Sequence, residues 1–138
     1  MKERTLGMIK PMAVQNGYIA PILDDIHNAG FRICAMRMQQ LTKDHAKNFY
    51  KVHASKSFYD TLVEFMASGP IVAFVLEKSN AVADFRKLLG DTDPQKAPEG
   101  SIRAKYAKDI TQNAVHGSDS VENAKKEINF FFSEIEIY

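Results

Sequence analysis

Six consecutive apolar residues at positions 71–76, Ile-Val-Ala-Phe-Val-Leu, stand between Ser68-Gly69-Pro70 and the polar pair Ser79-Asn80. A β-branched and aromatic run this short, bounded by turn residues, reads as a fully buried strand. It constrains the rest of the chain, which must supply the neighbouring strands and the layers that cover it. The run is far shorter than the ~20 residues needed to cross a bilayer, so no membrane span is expected. With 138 residues, of which 45% are hydrophobic, the chain is long enough for one core without staples and too short for two. A single domain over residues 1–138 is expected.

The remaining elements follow from the same kind of pattern. Thr5 to Ile9 reads as a strand that empties into a loop at Lys10-Pro11, because proline has no N–H to continue a ladder. Ile19, Ile22, Leu23 and Ile26 recur at helical spacing up to Gly30. Residues 31–41 alternate, with Phe31, Ile33 and Ala35 on one face and Cys34, Met36 and Met38 on the other, which predicts a strand covered on both sides. Thr42 is the expected N-cap of a helix over residues 43–53, and Ser57 that of a second over 58–67. Val82, Phe85, Leu88 and Leu89 mark a helix that stops at Gly90, and Pro94, Pro98 and Gly100 mark a long ordered loop after it. Asp119, three residues before Glu122, predicts the start of another helix, striped by Val121, Ala124, Ile128 and Phe131. Residues 134–138 alternate like a final strand.

Strands separated by helices at this spacing match the split β-α-β-β-α-β arrangement. The expected fold is therefore α+β and ferredoxin-like, a four-stranded antiparallel sheet covered by helices. That arrangement serves regulatory modules, RNA-binding modules and enzymes alike, so function must come from particular residues.

Composition removes several classes. Eighteen Lys and Arg oppose seventeen Asp and Glu, a net charge of +1, which provides no general attraction for nucleic acid or anionic lipid. An anionic partner would have to be held by a local cluster of cations. Cys34 is the only cysteine, so no intrachain disulfide is available, and the opening MKERTLGMIK lacks the apolar run of a secretory signal. A cytoplasmic location is the expectation. The chain contains no G-x-x-x-x-G-K-[ST], G-x-G-x-x-G, H-E-x-x-H or G-x-S-x-G pattern and no Cys/His ligand set. His27, His45 and His53 fall in helical segments and are read as surface or satisfied side chains.

His116 differs. It lies in Asn113-Ala114-Val115-His116-Gly117-Ser118-Asp119-Ser120, between a loop and a helix start. An imidazole among small residues is open to attack and titrates near neutrality, so it can serve as nucleophile or proton carrier; on residue type alone it reads equally well as a structural histidine. Gly117 would let a substrate approach closely. Glu127, further along the following helix, could accept a hydrogen bond from one ring nitrogen and leave the other bare. A serine hydrolase built on Ser118 and His116 is disfavoured, because the two are only two residues apart and lack the flanks of a nucleophile elbow.

The segment N-x-x-H-G-S-D-S resembles the active-site signature of nucleoside diphosphate kinases. The resemblance extends in order along the chain, through TLGMIKP at residues 5–11, Phe58 with Leu62, Ser68-Gly69-Pro70, Arg86, Gly90 with Thr92 and Pro94, and Gly100-Ser101-Ile102-Arg103. It implies transfer of the γ-phosphate of ATP or another NTP to an NDP, in two half-reactions through a phosphohistidine at His116, with Mg²⁺ held by the nucleotide phosphates and by no protein ligand directly. By the same resemblance Lys10, Arg86 and Arg103 are phosphate-binding cations, and Tyr50 and Thr92 hydrogen-bond the phosphates. Lys10 and Asn113 also reach the sugar, Glu127 holds the His116 ring, and Ser118 supports that contact. Phe58 is the expected base-stacking residue, with Leu62 beside it on the same helix and Ile110 on the opposite face of the base. Stacking without edge hydrogen bonds implies broad base tolerance. Symmetric homo-oligomers, tetramers or hexamers, are implied, and no specific nucleic acid. The alternative is a non-catalytic nucleotide- or nucleic-acid-binding ferredoxin-like module. Two segments depart from the family pattern, Met12-Ala13 after Lys10-Pro11 and Ser55-Lys56-Ser57 before Phe58. The second lacks a proline expected there, which predicts a looser start to the base-binding helix.

Overall fold

The computed structural model describes residues 2–138. Its sheet has four antiparallel strands in the order β2-β3-β1-β4, formed by β1 (Glu3–Ile9), β2 (Arg32–Gln40), β3 (Pro70–Lys78) and β4 (Val115–Gly117). The apolar run is central: β3 pairs with β1 from Glu3↔Lys78 to Ile9↔Val72 and with β2 on its other side. This is the ferredoxin-like α+β fold expected from the sequence.

Helices cover both faces. Leu6, Met8, Ala73 and Val75 point to one face, where Ala46, Tyr50, Leu62, Met66, Ile128 and Phe131 bury them. These come from α3 (Lys43–Phe49), α4 (Tyr59–Met66) and α7 (Val121–Phe131), with Tyr50 closing α3. Ile9, Val72, Phe74 and Leu76 point to the other face, against Ile22, Ile26, Phe85, Leu89 and Ile102. Those belong to α2 (Ile19–Asn28), α5 (Ala81–Leu89) and α6 (Ile102–Tyr106). A short α1 (Pro11–Gln15) follows β1, with Pro11 at its first turn, where the missing N–H costs nothing.

Several local expectations change. The helix expected over residues 43–53 ends at Phe49 and continues as a 3₁₀ turn, Lys51–His53; its Thr42 cap is present, the hydroxyl accepting from His45 N at 3.1 Å. Ser57 does not cap α4, whose N-cap is Phe58 with no side-chain hydrogen bond. Ser120, not Asp119, caps α7 by accepting from Asn123 N, while Asp119 accepts from the Asn123 side chain at 2.6 Å. The start of α5 is capped from across the fold, by the Glu3 carboxylate accepting from Val82 N at 2.9 Å.

The fourth strand is not residues 134–138. β4 occupies the edge beside β1, and those residues run instead to the β2 edge without forming a ladder there. They form a 3₁₀ turn, Glu134–Glu136, closed by a reciprocal cap between Ser133 and Glu136. The chain end is held instead by Tyr138 N donating to Cys34 O at 2.8 Å. Strand β2 is the other edge, bulged between Ile33 and Ala35. Its outer residues are not covered as expected: Met36 is 54% and Met38 58% exposed. No described helix is long and apolar enough to cross a membrane.

Candidate active site

Strand β4 is three residues long, and its alternation decides where the histidine goes. Val115 turns toward α5 and is buried, while His116, paired with Met8 of β1, turns the opposite way toward α3 and α7. Gly117 points back toward α5, where a Cβ would lie 2.9 Å from Leu89 Cδ1 and 3.0 Å from Phe85 Cδ2. Packing of α5 onto β4 therefore demands the glycine, which also lines the cleft in front of His116.

The imidazole is held from behind. His116 Nε2 lies 2.8 Å from Glu127 Oε1, and the same oxygen accepts from Ser118 Oγ at 2.7 Å. Ser118 is fully buried, its hydroxyl accepting in turn from Leu6 N of β1 at 3.3 Å. A carboxylate can only accept, so this chain puts the ring proton on Nε2 and leaves the Nδ1 lone pair free. The His116 side chain is 17% exposed, enough to meet a substrate and little enough to limit water.

In front of the ring lies a cleft of about 670 Å³. Lys10, Tyr50, Arg103 and Asn113 line its deeper part with His116, the exposed Arg86, Thr92, Phe58 and Ile110 its outer part, and Leu62 reaches it from the core side of α4. Every residue named as a candidate from the sequence lines it except Ser118, which stands behind Glu127. Phe58 is 44% and Ile110 58% exposed, an arrangement open to a flat apolar group.

The cleft is short of partners. Tyr50 Oη, Arg103 Nε, Asn113 Oδ1 and His53 Nδ1 are buried without a hydrogen bond, and all four residues line this cleft. Unpaired buried polar atoms are costly, on the order of 1–3 kcal/mol each, so their convergence marks a place built for a polar ligand. No described carboxylate makes an ion pair with Lys10, Arg86 or Arg103. Arg103 is aimed by backbone, its Nη1 donating to Gly90 O at 3.0 Å and its Nη2 to Val115 O at 2.8 Å. Gly90 sits at φ 84°, and a Cβ there would fall 2.5 Å from Ser101 Oγ.

Burial, and then the Arg103 charge, lower the Lys10 ammonium to about 7. Burial, and then Arg86, lower Arg103 to about 10, which leaves it charged at neutral pH. Burial, followed by the Glu127 carboxylate, holds the Tyr50 phenol well above its usual range, so it stays a donor. The buried Lys10, the partly buried Arg103 and the exposed Arg86 line one cleft with no ion-pair partner among the described residues, a local set of basic groups that a polyphosphate would match.

Three contributors were not legible in the sequence. His53, read from the sequence as a surface or satisfied side chain, lines the cleft with its Nδ1 unpaired. Phe49 packs edge-to-face on the His116 ring, with centroids 5.3 Å apart at 72°. Ala114 has φ 74°, the only described non-glycine residue in the left-handed region; Val115 N bonds back to Asn113 O at 2.9 Å, and Ala114 O receives Lys10 N at 2.8 Å. That tight turn ties Lys10 and Asn113 to the histidine strand, and nothing in the residue type announces it.

Among the described residues no three His, Cys, Asp or Glu side chains form a metal site. The carboxylates of the cleft are Asp119 and Glu127, and Glu127 is engaged by His116 and Ser118. Such a donor set suits an ion that arrives on a phosphate chain better than a resident one.

A free imidazole nitrogen facing unmatched cations in a water-poor cleft belongs to an enzyme that handles phosphoryl groups. The family model for nucleoside diphosphate kinase matches residues 3–137. The chain is 57% identical over 131 residues to the nucleoside diphosphate kinase of Flavobacterium psychrophilum, covering 95% of this chain and 94% of that protein. Among solved structures, the Aquifex aeolicus nucleoside diphosphate kinase superposes with a TM-score of 0.97 at 44% identity, covering all of both chains. The Halobacterium salinarum enzyme in complex with CDP gives 0.95 at 36%, covering 100% of this chain and 92% of that one. The chain belongs to the nucleoside diphosphate kinase family, whose members are nucleotide-binding phosphotransferases that work with a divalent metal.

Proposed function

We propose that the chain moves the γ-phosphate of an NTP to an NDP by way of a phosphohistidine at His116. The observation that carries this reading is the free Nδ1 opposite the Glu127 contact, in a cleft lined by unpaired polar atoms. In the first half-reaction the Nδ1 lone pair attacks the γ-phosphorus, an N–P bond forms, and the bridging P–O bond breaks with its electrons passing to the departing diphosphate. Glu127 balances the positive charge that the ring acquires, and Ser118 keeps the carboxylate in place. Lys10, Arg86 and Arg103 meet the charge on the phosphates, and Tyr50 and Thr92 donate hydrogen bonds to them. The second half-reaction reverses these steps with another diphosphate.

Phe58 and Ile110, with Leu62 beside them, are read as the clamp on the base. They offer apolar contact and no hydrogen bonds to the base edge, which favours broad base tolerance. Asn113 and Lys10 are read as contacts to the sugar. The metal is inferred to be Mg²⁺, bound through the nucleotide phosphates, whose charge it would neutralise.

Assembly with copies of itself is in keeping with the β2 edge, where Met36 and Met38 are exposed beside open ladder positions; a tetramer or hexamer is what the family resemblance implies. A cytoplasmic setting is inferred from a single buried thiol. The test is His116→Ala: exchange between ATP and several diphosphates should vanish while the circular dichroism spectrum and melting are kept. Normal turnover by that variant overturns the reading. Retained nucleotide binding with no exchange in the unaltered chain would favour the non-catalytic module.

A further inference from the structure

The imidazole of His116 touches one ring that no phosphate contact explains. Phe49, the last residue of α3, stands edge-to-face on it at 5.3 Å and 72°. Phe49 is itself buttressed by Phe130 at 5.2 Å and 68°, by Phe131 at 5.4 Å and 54°, and by the neighbouring Tyr50 at 4.9 Å and 79°. Phe49 and Phe130 both line the cleft while resting on the core. Glu127 fixes one ring nitrogen but leaves the imidazole free to rock about that hydrogen bond. A ring packed edge-to-face with it removes this freedom, and an aromatic wall beside the imidazole takes up space that water would fill.

We propose that Phe49, backed by Phe130, is a positioning residue that fixes the plane of the His116 ring and keeps water from the phosphorylated nitrogen, so that the phosphoryl group passes to nucleotide and not to solvent. The proposal rests on the phosphohistidine reading above. The reaction it suppresses is hydrolysis: a water oxygen forms a new P–O bond, the N–P bond breaks with its electron pair returning to Nδ1, and the water's protons are shared between imidazole and released phosphate. A phosphoenzyme that leaks in this way hydrolyses NTP without an acceptor.

The test measures two quantities on the full chain. Phosphoenzyme is formed with radiolabelled ATP, freed of nucleotide, and followed for loss of label to inorganic phosphate; a second sample receives GDP, and transfer is timed. Phe49→Leu and Phe49→Met are expected to shorten the phosphoenzyme lifetime by fivefold or more and to raise acceptor-free ATP hydrolysis, with phosphate transfer slowed less. Phe49→Tyr, which keeps the ring, is expected to restore the lifetime. If Leu and Met forms that keep the fold by circular dichroism hold their phosphoryl group as long as the unaltered chain, the proposal is overturned. If neither folds, Phe130→Leu, which removes the buttress alone, serves the same comparison, and an unchanged lifetime overturns the proposal equally. Failure of the unaltered chain to take label on His116 would instead sink the underlying phosphohistidine reading.

Discussion

Glu127→Gln isolates the electrostatic part of the site. The glutamine keeps the size of the side chain and an oxygen able to accept from His116 Nε2, now 2.8 Å from a carboxylate, but it cannot balance the charge the ring gains as Nδ1 forms its bond to phosphorus. A hydrogen bond to a charged group contributes roughly 1.5–3 kcal/mol and a neutral one roughly 0.5–1.5. The variant should therefore lose about 1–2 kcal/mol of transition-state stabilisation, or about 5- to 30-fold in rate. Glu127 stands behind the ring and away from the phosphate-binding cations, so the loss should fall on the phosphorylation step and not on nucleotide affinity. Rapid-quench measurement of phosphoenzyme formation over a range of ATP concentrations separates the two. A wild-type limiting rate, or a defect confined to the apparent ATP dissociation constant, would refute the role assigned to this carboxylate.

Two further outcomes follow from the geometry. Burial lowers Lys10 to about 7 from the ordinary lysine value of 10.5, so between those values the unfolded chain holds a proton that the folded chain lacks, and stability should rise with pH across that window. Lys10→Met should flatten the rise in thermal melts, and calorimetric titration of ADP at about pH 8 in buffers of different ionisation enthalpy should show proton uptake, because the polyphosphate draws the ammonium back to its charged form; identical heats after buffer correction would contradict this. Gly117→Ala should cost about 1–3 kcal/mol in denaturant unfolding, since the new methyl meets Leu89 and Phe85, and a neutral effect would show that α5 is not packed onto β4 as described.

The parts of the fold that were legible are those with long, one-sided patterns. The run in β3, the apolar stripes of α2, α5 and α7 apart from the exposed Val121, and the Thr42 cap stand where periodicity and capping chemistry put them. Short elements were not legible. Strand β4 has three residues, too few for alternation to register, while residues 134–138 alternate more clearly and yet close a 3₁₀ turn capped by Ser133 and Glu136. Helices α1 and α6 have five residues each and no room for a repeat. Alternation also could not tell an inner strand from an edge, which is why Met36 and Met38 were expected to be covered.

The candidate site divides in the same way. His116, Glu127, Lys10 and Arg103 are visible as a resemblance because chemistry restricts their residue types, and the cleft gathers them from β4, α7, the end of β1 and α6. Phe49 and His53 are ordinary members of a helix and a turn until the fold brings them against the ring and the cleft. Ala114 matters through a backbone angle that its side chain does not encode.

The most direct measurement is the chemical form of the phosphorylated ring. The unaltered chain should be incubated with ATP and digested without acid, and the phosphopeptide assigned by mass spectrometry and ³¹P NMR against synthetic phosphohistidine isomers. With Nε2 bound to Glu127, the label should be found on His116 at Nδ1. Label at Nε2, on another residue, or nowhere would contradict the account.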